Sequence, residues 1–344
     1  MDIKEILRRL VSYNTIHDKQ NKEIMDFIEN YLKKYGFTTK RISKCLIAYN
    51  KEQPKIGFIG HTDTVAYESW DGDPFLLQEN GDKLVGLGAC DMKGGIAAML
   101  SAVAKIDLSK NALALYFTND EEIGFEGIKT IREFIVPKMI IVGEPTNTIP
   151  IYGTKGVLEV KIEFYGVKCH SSTPDKGKSA IYESIHFIEE IKDYYEKLKQ
   201  EIVPDFEVPY TTMNIGMIKG GESVNSVAGK CEISIDFRIA KVEHLKKIKE
   251  KIEQILKRYH SKLTIKQNIS PKINKEDLGF LEEISSKKET KCYLTEASYI
   301  DKNCVILGPG PDTSHQKNEY IYLSSLKETE KLYKRIIEYY NERG

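Results

Sequence analysis

The 344-residue chain has no excess of either sign of charge, since 51 lysines and arginines face 51 aspartates and glutamates. That balance excludes a protein-wide basic field of the kind that draws nucleic acid or anionic membrane, and it favours a small substrate. Long apolar runs are missing as well. No segment reaches the roughly 18 consecutive apolar residues that a membrane span requires. The opening MDIKEILRRLVSYNTI mixes charge into an amphipathic pattern, without the apolar centre or small-residue cleavage site of a leader. A cytoplasmic protein is expected. The six cysteines, Cys45, Cys90, Cys169, Cys231, Cys292 and Cys304, form no CxxC pair, which excludes a thiolate zinc cluster and predicts reduced thiols. No low-complexity stretch interrupts the chain, so all of it is expected to fold. At this length a single ordinary core is exceeded, and two domains, or one with an insertion, are expected.

What is present begins with helical periodicity over the first 36 residues. Ile3, Ile6, Leu7 and Leu10 make an apolar stripe, repeated by Ile24, Phe27, Ile28 and Tyr31 before Gly36. Short apolar runs follow, each ending in glycine or acid: KIGFIGHTDTV, ALALYFTNDEEIG and KMIIVGEPT. Continuous apolar runs of this kind are strands buried on both faces of a helix-covered sheet. GGIAAMLSAVAKI between them is helical in period, and the order is α/β. The pattern changes after Gly153. Residues 157–165, 212–219, 229–238 and 262–267 alternate like half-exposed strands, while 178–200 and 242–258 read as helices. Together they make β-α-β-β-α-β, the ferredoxin-like order. From about residue 270 apolar runs return, as CVILGPG, and a helix over 324–341 rejoins the first domain.

Acids and histidines stand where the predicted strands end, the place where ligands collect on an open α/β sheet. In IGHTDTV, His61 and Asp63 lie two apart on an extended segment and point the same way. This is the arrangement of a metal ligand with the carboxylate that orients it, and equally that of a satisfied surface pair. GLGACDMKGG sets Asp91 among glycines, where the backbone either brings a carboxylate to a cation or simply turns. In FTNDEEIG, Asp120, Glu121 and Glu122 repel one another unless something positive sits beside them. Adjacent strand residues face opposite sides, so one of Glu121 and Glu122 can ligate while the other takes a proton from water. Glu144 in VGEPT and His315 in GPGPDTSHQ complete the series.

These five ordered motifs resemble the two-zinc metallopeptidase and aminoacylase family, which includes acetylornithine deacetylase, succinyl-diaminopimelate desuccinylase and carboxypeptidase G, over essentially the whole chain. The resemblance implies a mixed-sheet α/β zinc-hydrolase domain over residues 1–153 and 269–344. An inserted ferredoxin-like α+β lid, residues 154–268, would mediate a homodimer. It implies two divalent ions, zinc with cobalt as the alternative, bridged by Asp91. His61 and Glu144 would complete one site, and Glu122 and His315 the other. Glu121 would be the general base or acid, and Asp63 would orient His61. GVKCHSSTPDKGKSAI resembles the lid segment whose histidine, here His170, reaches the active site of the partner subunit and stabilises a developing oxyanion. Its local alternative is a turn histidine capping the next helix. GGESVNSVAGKCEISIDFR resembles the segment carrying Asn225 and Arg238. Arg238 is the candidate for a substrate α-carboxylate, which a guanidinium binds bidentately, or else a surface ion pair. Thr295-Glu296-Ala297 is similar to the acetylornithine deacetylase version of the segment before the last ligand, and sets Glu296 to meet a cationic side chain or amine.

The activity this implies is hydrolysis of the amide bond of a small N-acyl amino acid, of the N-acetylornithine type, in arginine or lysine biosynthesis. Other readings stay open. One is release of succinyl from diaminopimelate, or of an acidic carrier protein from lysine or ornithine, for which Lys168, Lys176 and Lys178 beside His170 leave room. Another is a di- or tripeptidase. The last is a metal-dependent amino-acid-binding protein without chemistry, since fold does not dictate function, though the presence of Glu121 speaks against it.

Overall fold

The computed structural model describes residues 1–16, 19–67, 69–274, 279–285 and 289–343. Two compact units divide the chain: residues 1–152, 274–289 and 295–344 form the first, and 153–273 with 290–294 the second.

In the first unit the N-terminal helix Ile3–Val11 is capped by Asp2, whose carboxylate accepts the Glu5 N–H at 2.9 Å. Periodicity predicts one helical stretch to residue 36, but a second helix, Asn21–Lys33, starts only after a break. Side chains capture the backbone in that break. Asn14 Oδ1 accepts the Ile16 N–H, and Gln20 Oε1 accepts that of Asn14, local bonds that compete with the helix ladder.

The apolar runs form a mixed sheet. Ile56–His61 lies at its centre, parallel to Leu113–Thr118 on one side and to Met139–Val142 on the other. Asn303–Ile306 adds in parallel beyond 139–142, and the hairpin Thr38–Ile42 and Cys45–Tyr49 adds antiparallel beyond 113–118. The chain therefore leaves strand 56–61 to one side and returns to the other. That makes its carboxyl end a topological switch point, the place for a ligand crevice. Leu46, Ile56, Phe58, Leu115, Phe117, Met139, Ile141 and Val305 pack in one core with helices 3–11, 21–33, Lys93–Val103 and Leu323–Glu342. Every residue of helix 93–103 is buried, as its small-residue composition requires. Gly95 shows why. A Cβ there would stand 2.1 Å from the Gly143 carbonyl oxygen, so only glycine lets the helix approach the segment that carries Glu144.

The second unit is an antiparallel sheet in the order Thr212–Gly220, Lys230–Ile239, Gly156–Tyr165, Ser261–Ile269. Helices Ala180–Leu198 and Val242–Leu256 pack on one face through Phe187, Ile191, Ile248 and Ile252 against Leu158, Val160, Ile162, Phe164, Ile233 and Ile235. The intervening residues of the strands face away and form ion pairs such as Lys161–Glu232 at 2.7 Å. This is the ferredoxin-like order, and the chain as a whole is a mixed α/β catalytic fold with an inserted α+β lid. Among the features with no counterpart in the sequence pattern are the hairpin 38–49, turned at Ser43 with φ +54°, and a small sheet of Gln78–Asn80, Lys83–Val85 and Tyr320–Tyr322. None of the described helices is long and apolar enough to cross a membrane.

Candidate metal centre

Strand 56–61 ends at His61, which is fully buried. Its Nδ1 lies 3.1 Å from the Asp63 carbonyl oxygen and 3.5 Å from the Asp63 carboxylate. A proton on Nδ1 directed there leaves the Nε2 lone pair facing the opposite way. Nε2 stands 3.1 Å from Asp91 Oδ1 and 3.7 Å from Glu144 Oε2. Asp91 comes from the turn before helix 93–103, and its other oxygen, Oδ2, lies 3.5 Å from His315 Nε2. His315 Nε2 also meets Glu122 Oε2 at 3.1 Å. One carboxylate thus faces two histidines, each with a further acid beside it.

Glu121 and Glu122 reach this cluster by a route different from the expected one. The strand stops at Thr118 and the acids occupy a turn, entered at Asp120 with φ +65° and left at Phe125 with φ +58°. Opposite strand faces therefore do not divide them. The turn aims both inward, and the Glu122 N–H donates to Asp63 Oδ2 at 3.1 Å. Asp120 itself turns out of the cluster toward the Glu126 N–H.

Packing this many acids together shifts their protonation. Burial, then the neighbouring Asp91, pushes Glu144 up to about 8, and burial with the charges of Glu144, Asp91 and Glu122 holds Glu121 well above the usual carboxylate range. For Asp91 burial acts upward, but hydrogen bonds with His315 and His61 win and hold it far below that range. Bonds to Asp91 and Glu122 raise His315 to about 10. These directions describe a cluster of surplus negative charge, in which the carboxylates favour a proton or another cation. The donors fit divalent ions. His61, Asp91 and Glu144 offer ligand atoms within 4.8 Å of one another, and so do Asp91, Glu122 and His315. Glu122 Oε1 is buried with no hydrogen-bond partner among the described residues, an orphan acceptor that an ion would satisfy. This mixed imidazole and carboxylate set admits several divalent metals. A cavity of about 380 Å³, lined by Val65, Tyr67, Trp70 and His315 among others, opens beside it, and suits a small-molecule substrate.

Residues 152–264 match the family model of the peptidase dimerisation domain. The acetylornithine deacetylase of Photorhabdus laumondii is 33% identical, over 98% of this chain and 96% of its own length. That of Proteus mirabilis is 30% identical over 97% and 95%. The chain belongs to the M20 family, among its acetylornithine-deacetylase-like members. The same fold recurs in the aminopeptidase PepT of Bacillus cereus, with TM-score 0.80 and 22% identity over 98% of both chains. It recurs in the Bacillus subtilis YXEP protein, described as a dinuclear metal binding peptidase, with TM-score 0.71 and 14% identity over 98% of both.

In this M20 chain the remaining expected residues distribute unevenly. His170 is exposed in the second unit, its Nδ1 2.7 Å from the Ser172 hydroxyl. Asn225 stands beside it, its carbonyl accepting the Ser171 N–H at 3.0 Å. Arg238 pairs with Asp236 at 2.8 Å. It lies opposite Val157, whereas the His170 segment leaves the sheet beyond Tyr165, at the other end of the same strand. Within this unit, then, Arg238 does not converge with His170 and Asn225. Of the lysines near His170, Lys168 is paired with Glu222 and Lys178 with Glu183, so the basic groove that a carrier protein would need is largely neutralised.

Glu296 departs from expectation. It is 1% exposed, and neither carboxyl oxygen has a hydrogen-bond partner among the described residues. Burial pushes it up to about 7, offset in part by nearby His61 and Thr118. The charges of His61 and Asp63 both act on it, and its burial leaves no exposed carboxylate for a substrate cation to meet.

Among the buried ionisable residues of this M20 member that went unnoticed in the sequence, two belong to the Asp91 region. Lys93 donates to the Tyr13 carbonyl at 2.9 Å, and Glu319 accepts three backbone N–H groups of the Asp91 loop. The available signal was indirect: a buried glycine-rich loop, GLGACD, owes acceptors to its N–H groups.

Proposed function

We propose that the protein hydrolyses the amide bond of a small N-acyl amino acid, with N-acetylornithine as the principal substrate type. It would do so as a two-ion enzyme loaded with zinc or cobalt. The observation that carries this reading is Asp91, whose two oxygens face His61 and His315 separately, with Glu144 and Glu122 completing the two ligand sets. Similarity to the acetylornithine deacetylases supports the substrate type.

Ions held there would polarise the substrate carbonyl and make water more acidic. The chain's own groups supply the rest. Asp63 holds His61 through Nδ1, so that Nε2 keeps its direction. Glu121 sits within reach of the same cluster, where it would take a proton from water and return it to the leaving nitrogen. His170 would donate to the carbonyl oxygen as negative charge develops, and Arg238 would bind the α-carboxylate. Since the matched segment is a peptidase dimerisation domain, a homodimer is the expected working form.

The test is amine release by zinc- or cobalt-loaded protein from N-acetylornithine, N-succinyl-diaminopimelate and a dipeptide panel, with Glu121→Gln as control. Turnover of N-acetylornithine that falls by at least ~10² in the variant supports the proposal. Turnover of another compound alone would keep the chemistry and discard the substrate, and retained activity in the variant would remove Glu121 from its role.

A further inference from the structure

Asp91 is delivered by a loop, and a loop does not hold a carboxylate to the precision that facing two histidines requires. Gly88, Ala89 and Cys90 are buried and Asp91 is half-buried, so the backbone donors of the loop must be satisfied from within. A single side chain satisfies three of them. Glu319 Oε2 accepts the Gly88 N–H at 3.1 Å, and Oε1 accepts those of Cys90 and Asp91 at 2.7 and 2.8 Å. Glu319 is 2% exposed. It stands four residues after His315, and its own carbonyl accepts the Gly86 N–H at 3.1 Å. The segment that carries it is tied to the same loop elsewhere, since the Thr313 N–H meets Cys90 Sγ at 3.3 Å and that thiol meets the Pro311 carbonyl at 3.3 Å.

The geometry points to Glu319 as a positioning residue of the two-ion centre. It locks the Asp91 loop to the His315 segment, so that both oxygens of Asp91 are aimed before ions arrive. This rests on the two-ion reading above. Only a carboxylate serves, because acceptors are needed on both of its oxygens. In Glu319→Gln one oxygen becomes an NH2, and whichever way the amide turns, a donor then confronts a backbone donor and at least one of the three bonds is lost.

The experiment strips the full-length protein with a chelator and titrates Zn2+ in competition with a chromophoric chelator. Wild type and Glu319→Gln are compared, and the melting of each stripped protein is recorded. The expectation is two ions per chain for wild type. For Glu319→Gln it is a 10- to 100-fold weaker affinity, the usual effect of losing a group that supports a ligand, together with a fall in kcat at nearly unchanged KM. If Glu319→Gln does not fold, Glu319→Asp carries the same test, since it keeps the charge and withdraws it by one methylene. Wild-type affinity in a folded variant overturns the proposal while leaving the two-ion reading intact. So does a loss of affinity matched by an equal loss of stability in the stripped protein. Wild type that takes up no divalent ion overturns both.

Discussion

Replacing Glu296 by glutamine separates a buried acid from a substrate contact. Glu296 is 1% exposed, and burial raises its carboxyl from 4.5 to about 7. An acid raised in the folded state keeps its proton up to about 7, while the unfolded chain releases it near 4.5. Unfolding therefore releases a proton between those values, and stability falls as pH rises through that window. The full difference, at about 1.4 kcal/mol per unit, comes to about 3 kcal/mol above pH 7. Glutamine has the same shape and never ionises, so Glu296→Gln should match wild type at pH 4 and exceed it by about 3 kcal/mol at pH 8. Chelator-treated protein is the proper sample, because a nearby cation would favour the ionised acid. Urea unfolding of both proteins at the two pH values measures the difference, and the ratio of KM for N-acetylornithine to KM for neutral N-acetylnorvaline should not change. A variant less stable than wild type at pH 8 would refute the burial argument. A KM rise confined to the cationic substrate would restore Glu296 to the role the sequence suggests.

Two further outcomes follow from packing and charge. Gly95→Ala places a methyl 2.1 Å from the Gly143 carbonyl oxygen; the expected cost is about 3 kcal/mol, with a lowered ion stoichiometry because the displaced segment carries Glu144, and an unchanged melting temperature and ion count would contradict the close approach. Glu29 is held down to about 2 by Lys33 and Arg41, so its contribution is present above pH 4.5 and is lost as pH falls through about 2. Near the surface this amounts to about 1 kcal/mol, and Glu29→Gln should cost that at pH 7 and nothing at pH 2 in urea titrations.

How much of this was legible follows from what periodicity encodes. Alternation and apolar runs report which residues are buried, and that was enough to find strands 56–61, 113–118 and 139–142, the ferredoxin-like order, and the strand ends beside which His61 and Glu144 stand. Periodicity does not report where a strand stops. The argument that Glu121 and Glu122 face opposite sides fails for this reason alone, since the chain leaves the strand at Thr118 and turns at Asp120. The hairpin 38–49 escaped notice because TTKRI is short, charged and half-exposed at the sheet edge.

Acids are the harder case, because a glutamate's letter says nothing about what surrounds it. Glu122, Glu296 and Glu319 read alike in the sequence, yet one faces His315, one is buried within the influence of His61, and one gathers backbone N–H groups of the Asp91 loop. The three environments also carry different consequences for charge. Counting the proposed ligands alone, three carboxylates stand against two divalent cations, and one positive charge is left over. Glu121, Glu296 and Glu319 add three more buried acids, all shifted upward, so their proton occupancy must depend on whether ions are present. Ion uptake at neutral pH should then release protons from groups that never touch an ion, and those protons belong to the binding equilibrium as much as the ligand atoms do.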